Sequence, residues 1–146
     1  MSSEVTAGAA SVPAVQGLKR GRPVSTMHIG QLAERAEMSL RTIRHYDETG
    51  LLRPSGRTEG GFRLYTEVDL ERLLVIRRMK PLGFSLDEMG QLLSVVDRLA
   101  ATDDPVRQEG LREELRAFTA SAHERRADLA RKLGMADEFI GLLQRL

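Results

Sequence analysis

"RTIRHYDETGLL", residues 41–52, decides how this chain is read. Two arginines, a histidine and a tyrosine fall within six positions, followed by a glycine and a double leucine. On a helix, Arg41, Arg44, His45 and Glu48 stand at i, i+3, i+4 and i+7. They share one face, opposite Leu40 and Ile43. Ser39 is placed to cap the start by accepting from an early backbone N–H. Gly50 is placed to stop the helix in the left-handed conformation. An arginine fork on such a face can bond guanine N7 and O6 or clamp a phosphate. Tyr46 can turn its ring inward while its hydroxyl reaches a phosphate. A solitary helix of this kind is as readily a solvated surface, so its neighbours decide.

Upstream, Ile29, Leu32, Ala33 and Ala36 follow helical spacing and predict a short helix. Glu37-Met38 must then be a tight turn, and two short helices so joined form a helix-turn-helix. Downstream, "RPSGRTEGGFRLY" at 53–65 has turn glycines between short alternating segments and predicts a β-hairpin wing. Arg57 and Arg63 in that wing could grip flanking DNA backbone. A third helix is expected from Thr66 to about Lys80, capped by Thr66 with Asp69 and ended by Pro81 and Gly83. "SLDE" at 85–88 is a capping box for a fourth helix reaching about Asp97.

"ATDDP" at 101–105 breaks the chain, with Asp103 or Asp104 as cap and Pro105 in the first turn of a final helix. Leu111, Leu115, Phe118, Ala122, Leu129, Leu133, Ala136 and Ile140 recur there in steps of three and four, interrupted at Arg125-Arg126. At a rise of ~1.5 Å per residue, 106–143 would extend ~57 Å. An apolar seam of that length predicts a partner helix and a coiled-coil dimer. The alternative is a break near Gly134 and a fold-back.

Net charge is +1, but residues 1–83 carry 13 Lys/Arg against 9 Asp/Glu, while 84–146 carry 9 against 12. The basic excess lies with the opening cluster, as a polyanion partner would require. The absence of cysteine removes disulfides, thiolate chemistry and cysteine metal sites. His28, His45 and His123 are scattered without ligand spacing, so neither a metal nor a cofactor is expected. No apolar run could span a bilayer and no secretory signal opens the chain, which is compatible with a cytoplasmic protein. Residues 1–26 are small, polar and punctuated by Pro and Gly, and read as a disordered arm, with Met27 an alternative start. Within the arm, "KRGRP" at 19–23 is like an AT-hook core, in which Arg20 and Arg22 would enter an A/T-rich minor groove. The same five residues also make an ordinary basic linker.

Taken together, "TIRHYDETGLL", the wing pattern ending "GFRLY" and "LGFSLDEM" resemble the MerR family of winged-helix transcription regulators over about residues 27–97. The resemblance implies a mainly α fold: a winged helix-turn-helix head (27–98) with four helices and a β-hairpin wing, then a long dimerisation helix (104–146). No separate effector domain is expected. It further implies a homodimer on a pseudo-palindromic operator in double-stranded DNA, bending and untwisting a promoter for RNA polymerase. Ser39, Arg41, Thr42, Arg44 and Tyr46 match the family's recognition-helix contacts, and Arg57, Arg63 and Tyr65 its wing contacts. His45 stands where the family often has tyrosine, and Glu37 where glycine is common. A small-molecule effector is left unidentified. Two other readings use the same residues: an architectural or excisionase-like DNA binder, and a coiled-coil interaction protein. No nucleophile–base pair or phosphate-cradling loop suggests an enzyme.

Overall fold

The structure is a computed structural model and describes residues 25–146. Arg20 and Arg22 lie outside the described residues. In chain order the elements are β1 (Thr26–His28), α1 (Ile29–Ala36), α2 (Leu40–Thr49), β2 (Gly56–Arg57), β3 (Arg63–Thr66) and α3 (Glu67–Met79). A 3-10 turn (Lys80–Leu82), α4 (Leu86–Ala101) and α5 (Pro105–Arg145) complete them. They form a winged helix-turn-helix followed by one long helix. The chain divides into two compact units, one ending at Arg78 and the other spanning Met79–Leu146. The sequence reading had ended the head at residue 98.

In the first unit, α1 buries Leu32, Ala33 and Ala36. It ends at Glu37, whose φ of 55° and ψ of 46° are left-handed and whose N–H reaches back to the carbonyls of Ala33 and Glu34. Glu37 is the one non-glycine residue with positive φ among the described residues. This tight reversal lets α2 start only three residues later. Ser39 caps α2 by accepting from the Thr42 N–H, and Gly50 closes it at φ 83°. Ile43 and Tyr46 fill the core side of α2. Leu40 does not point inward as expected. Its position in the first turn is nearer in rotation to Arg44 than to Ile43, and it stays partly exposed.

The wing hairpin pairs β2 with β3, Arg57 opposite Arg63, and turns through Thr58–Gly61. A strand not foreseen, β1, adds to the other edge of β3 and pairs Met27 with Tyr65. The sheet order is therefore β1-β3-β2. Thr66 and Asp69 exchange bonds at the start of α3, N–H to carboxylate at 2.9 Å and N–H to hydroxyl at 3.2 Å. The same Asp69 carboxylate accepts from the Ser55 hydroxyl at 2.6 Å, which ties the wing's approach to α3.

In the second unit, Ser85 and Glu88 form the expected capping box on α4. α4 runs to Ala101, further than foreseen, and packs against α5. Asp104 caps α5, and the helix continues unbroken through Gly134 to Arg145, so no fold-back occurs. Arg125 anchors the near half of α5. Its guanidinium lies 4.0 Å from the Phe84 ring centre, donates to Leu82 O at 3.3 Å and pairs with Glu88 at 3.1 Å. Phe118 meets Phe84 at 6.5 Å between ring centres, and Leu111 is buried. Leu111 is therefore a core residue of its own unit, contrary to its expected place in the dimer seam. Leu115, Phe118 and Ala122 are half-buried, whereas Leu129, Leu133, Ala136 and Ile140 are exposed. Periodicity alone could not say that the chain itself covers the near part of the seam.

Two stability predictions follow from these turns. Glu37→Gly removes left-handed strain and loses only an exposed 3.6 Å ion pair with Arg77. It should raise stability by about 0.5–1 kcal/mol, read as a higher urea midpoint. An unchanged or lower midpoint would contradict the strain argument. The Ser85 backbone N–H, assisted by its hydroxyl and by Arg125, holds the Glu88 carboxyl below its ordinary value of 4.5. A depressed carboxyl contributes stability that is present above the unfolded value and lost as pH falls through the folded one. Glu88→Gln keeps the cap geometry but does not titrate, so below pH 4.5 it should lose less stability than the parent chain.

Candidate nucleic-acid interface

The exposed face of α2 carries Arg41, Arg44, His45 and Glu48, as helical spacing requires. Arg41 and Arg44 form no salt bridge among the described residues, so both forks are open to a ligand. Thr42 is partly engaged, its hydroxyl 2.8 Å from that of Ser39 while its N–H donates to the same oxygen. Ser39 thus serves first as the cap. The structure brings Arg41, Arg44 and His45 onto one surface, with half-buried Thr42 off to one side and Leu40 beside Arg44 as an apolar group able to meet a thymine methyl.

Two predicted contacts are tyrosines with enclosed rings. Tyr46 is only 3 % exposed, and burial pushes its hydroxyl pKa up. Its ring packs inward under α2, as the sequence predicts. Tyr65 is 0 % exposed, held in the central strand opposite Met27, and cannot touch DNA in this conformation. Its hydroxyl has no hydrogen-bond partner among the described residues.

Asp47, which the sequence reading passed over, links the helix to the wing. Its Oδ2 accepts from Arg63 Nε at 2.7 Å and from Arg57 Nη2 at 3.3 Å. The Arg63 guanidinium is held protonated more firmly than usual, chiefly by that bond. Asp47 lies four residues after Ile43, on the inward stripe of α2. A carboxylate on a buried stripe is the signal that could have revealed it, because it must be paired there. At the wing tip, Phe62 is exposed beside Gly60 and Gly61, a further apolar group that the sequence reading did not single out. No cluster of His, Cys, Asp or Glu able to hold a metal ion occurs among the described residues. No described helix is long and apolar enough to cross a membrane.

The arrangement is an arginine-bearing helix after a tight turn, with a cationic hairpin locked beside it. Its chemistry suits a groove flanked by phosphates. Comparison with known proteins agrees. Residues 27–95 match the family described as MerR HTH family regulatory protein, and residues 70–146 the one described as MerR, DNA binding. The regulator ZntR of Escherichia coli (strain K12) is 52 % identical over 67 residues, 46 % of this chain and 48 % of that protein. The regulator CueR of Vibrio cholerae is 36 % identical over 107 residues, 73 % of this chain and 68 % of that protein. The chain spans about half the length of ZntR and about two thirds that of CueR. Among solved structures, HiNmlR, a MerR family regulator lacking the sensor domain and bound to promoter DNA, superposes with a TM-score of 0.63. The identity there is 27 %, over 83 % of this chain and 92 % of that one. With both halves of its described length matched in this way, the chain belongs to the MerR family of transcriptional regulators.

Proposed function

We propose that this protein is a homodimeric regulator of transcription that binds a pseudo-palindromic promoter operator and bends and untwists it. The observation that carries this reading is the open face of α2, where Arg41, Arg44 and His45 stand clear of internal ion pairs next to an arginine-bearing wing. The likeness to a regulator bound to promoter DNA supports it. Arg41 and Arg44 read or clamp the duplex, and His45 donates to the backbone. The wing holds the flanking phosphates through an arginine. Distortion of the promoter for RNA polymerase takes its energy from these backbone contacts on both half-sites. Such a role involves binding and no chemical step, so the protein is not an enzyme, and it acts in the cytoplasm where the promoter lies.

The distal half of α5 supports the dimer. Leu129, Leu133 and Ile140 are exposed on one stripe, and Met135, Phe139, Leu142 and Leu146 on another about a third of a turn away. A soluble chain seldom leaves this much apolar surface open, and a second copy of the helix is the partner that fits a three-four repeat.

Footprinting on DNA upstream of its own gene tests the operator, the expected result being a protected inverted repeat. Absence of protection at moderate salt would remove the reading. Arg44→Ala should weaken operator binding by about 1–3 kcal/mol, measured by anisotropy with labelled duplex. In vitro transcription from the protected promoter should change on adding protein; bent DNA with unaltered transcript would instead indicate a purely architectural binder. Ile140→Asp places a charge on the exposed stripe and should shift the sedimentation profile from dimer to monomer. A dimer that survives this change would exclude the distal helix as its seam.

A further inference from the structure

The β2–β3 register sets Arg57 directly opposite Arg63, a position in which like charges repel. One carboxylate oxygen, Asp47 Oδ2, accepts from both, and Glu48 adds only a weaker field at Arg63 with no bond to it. Two cations thus share one anion, and the two bonds are unequal. Arg63 is 25 % exposed and bonded at 2.7 Å to a carboxylate that is itself 11 % exposed. Arg57 is 48 % exposed and sits at 3.3 Å, with its other terminal nitrogen on the Gly61 carbonyl at 3.0 Å.

Removing Arg63 would leave the largely buried Asp47 charge with only a long contact, which is costly. Removing Arg57 leaves Asp47 with its short bond intact. A second anion arriving at the wing therefore completes the charge balance by taking Arg57, not Arg63. Resting on the DNA-binding reading above, we infer that Arg57 leaves Asp47 for a backbone phosphate while Arg63 stays. Asp47 is then a positioning residue that fixes the wing to α2 through Arg63 and holds Arg57 ready for transfer. The two arginines among the three wing contacts that the family resemblance implied thereby divide into one phosphate ligand and one internal brace.

The salt dependence of DNA affinity separates these jobs, because each phosphate neutralised contributes about 0.9 to the slope of log affinity against log salt. Affinity of the full chain for a labelled, mixed-sequence duplex would be measured over a potassium chloride series for the parent, Arg57→Gln and Arg63→Gln. Arg57→Gln should lower the slope by about 0.9 per protomer. Arg63→Gln should keep the slope while lowering the melting temperature. A slope lost equally in both variants, lost only in Arg63→Gln, or retained in Arg57→Gln would overturn the assignment. Should Arg63→Gln fail to fold, the side-chain N–H resonances of the parent protein decide. On adding duplex, the Arg57 guanidinium signal should move and that of Arg63 Nε should not, and the reverse pattern overturns it. A parent slope indistinguishable from zero would instead remove the DNA-binding reading on which the inference rests.

Discussion

The rest of the candidate site depends on one carboxylate. Asp47 sits on the inner stripe of α2 and accepts from two arginines of the wing. The wing has little else to fix it: β2 is two residues long and its turn is closed by a few backbone bonds. A short hairpin of that kind is marginal alone. The charge-assisted bond at 2.7 Å, aided by the third strand on the other edge of β3, gives it a defined position beside α2. Reading groove and flanking phosphates together requires such a fixed spacing, since two surfaces that wander independently would lose the gain in ordering each time they bind.

Local chemistry was legible in the sequence because it is carried by residues close together. The reciprocal caps Thr66–Asp69 and Ser85–Glu88 are three residues apart and were read directly. The faces of α2 followed from helical period, and Gly50 from its place after the last turn. Strand β1 was missed because three residues hold little pattern, and only pairing with distant Tyr65 and Thr66 makes them a strand. Tyr65 was misplaced for the same reason. A motif shows that a tyrosine is there, but the sheet decides which way it faces. Asp47 was overlooked because its partners return only after the hairpin folds back. Leu111 shows a further limit: an apolar repeat cannot tell whether α4 or another chain covers it.

Tyr65 and Glu37 both depart from local optimum. A fully buried phenol without a hydrogen-bond partner costs free energy, as does a non-glycine residue in the left-handed turn. Both lie in the first unit, where α1, α2 and the three strands meet at short range. The turn at Glu37 spans only the three residues between α1 and α2, and the backbone there must reverse whatever side chain it carries. Tyr65 lies in the central strand opposite Met27, and its buried hydroxyl meets no hydrogen-bond partner among the described residues.

The long helix carries a consequence of a different kind. Gly110, Gly134 and Gly141 all lie inside α5, and each disfavours helix by about 1 kcal/mol relative to alanine. Two of them fall in the distal half, where nothing in the described chain packs. A lone helix of that length in water is close to balance between helix and coil. In the proposed dimer its order would be set by mass action: as copies associate, apolar burial would offset the glycines, and thermal stability would rise with protein concentration. The amount of regulator present would govern how well its own distal helix is folded.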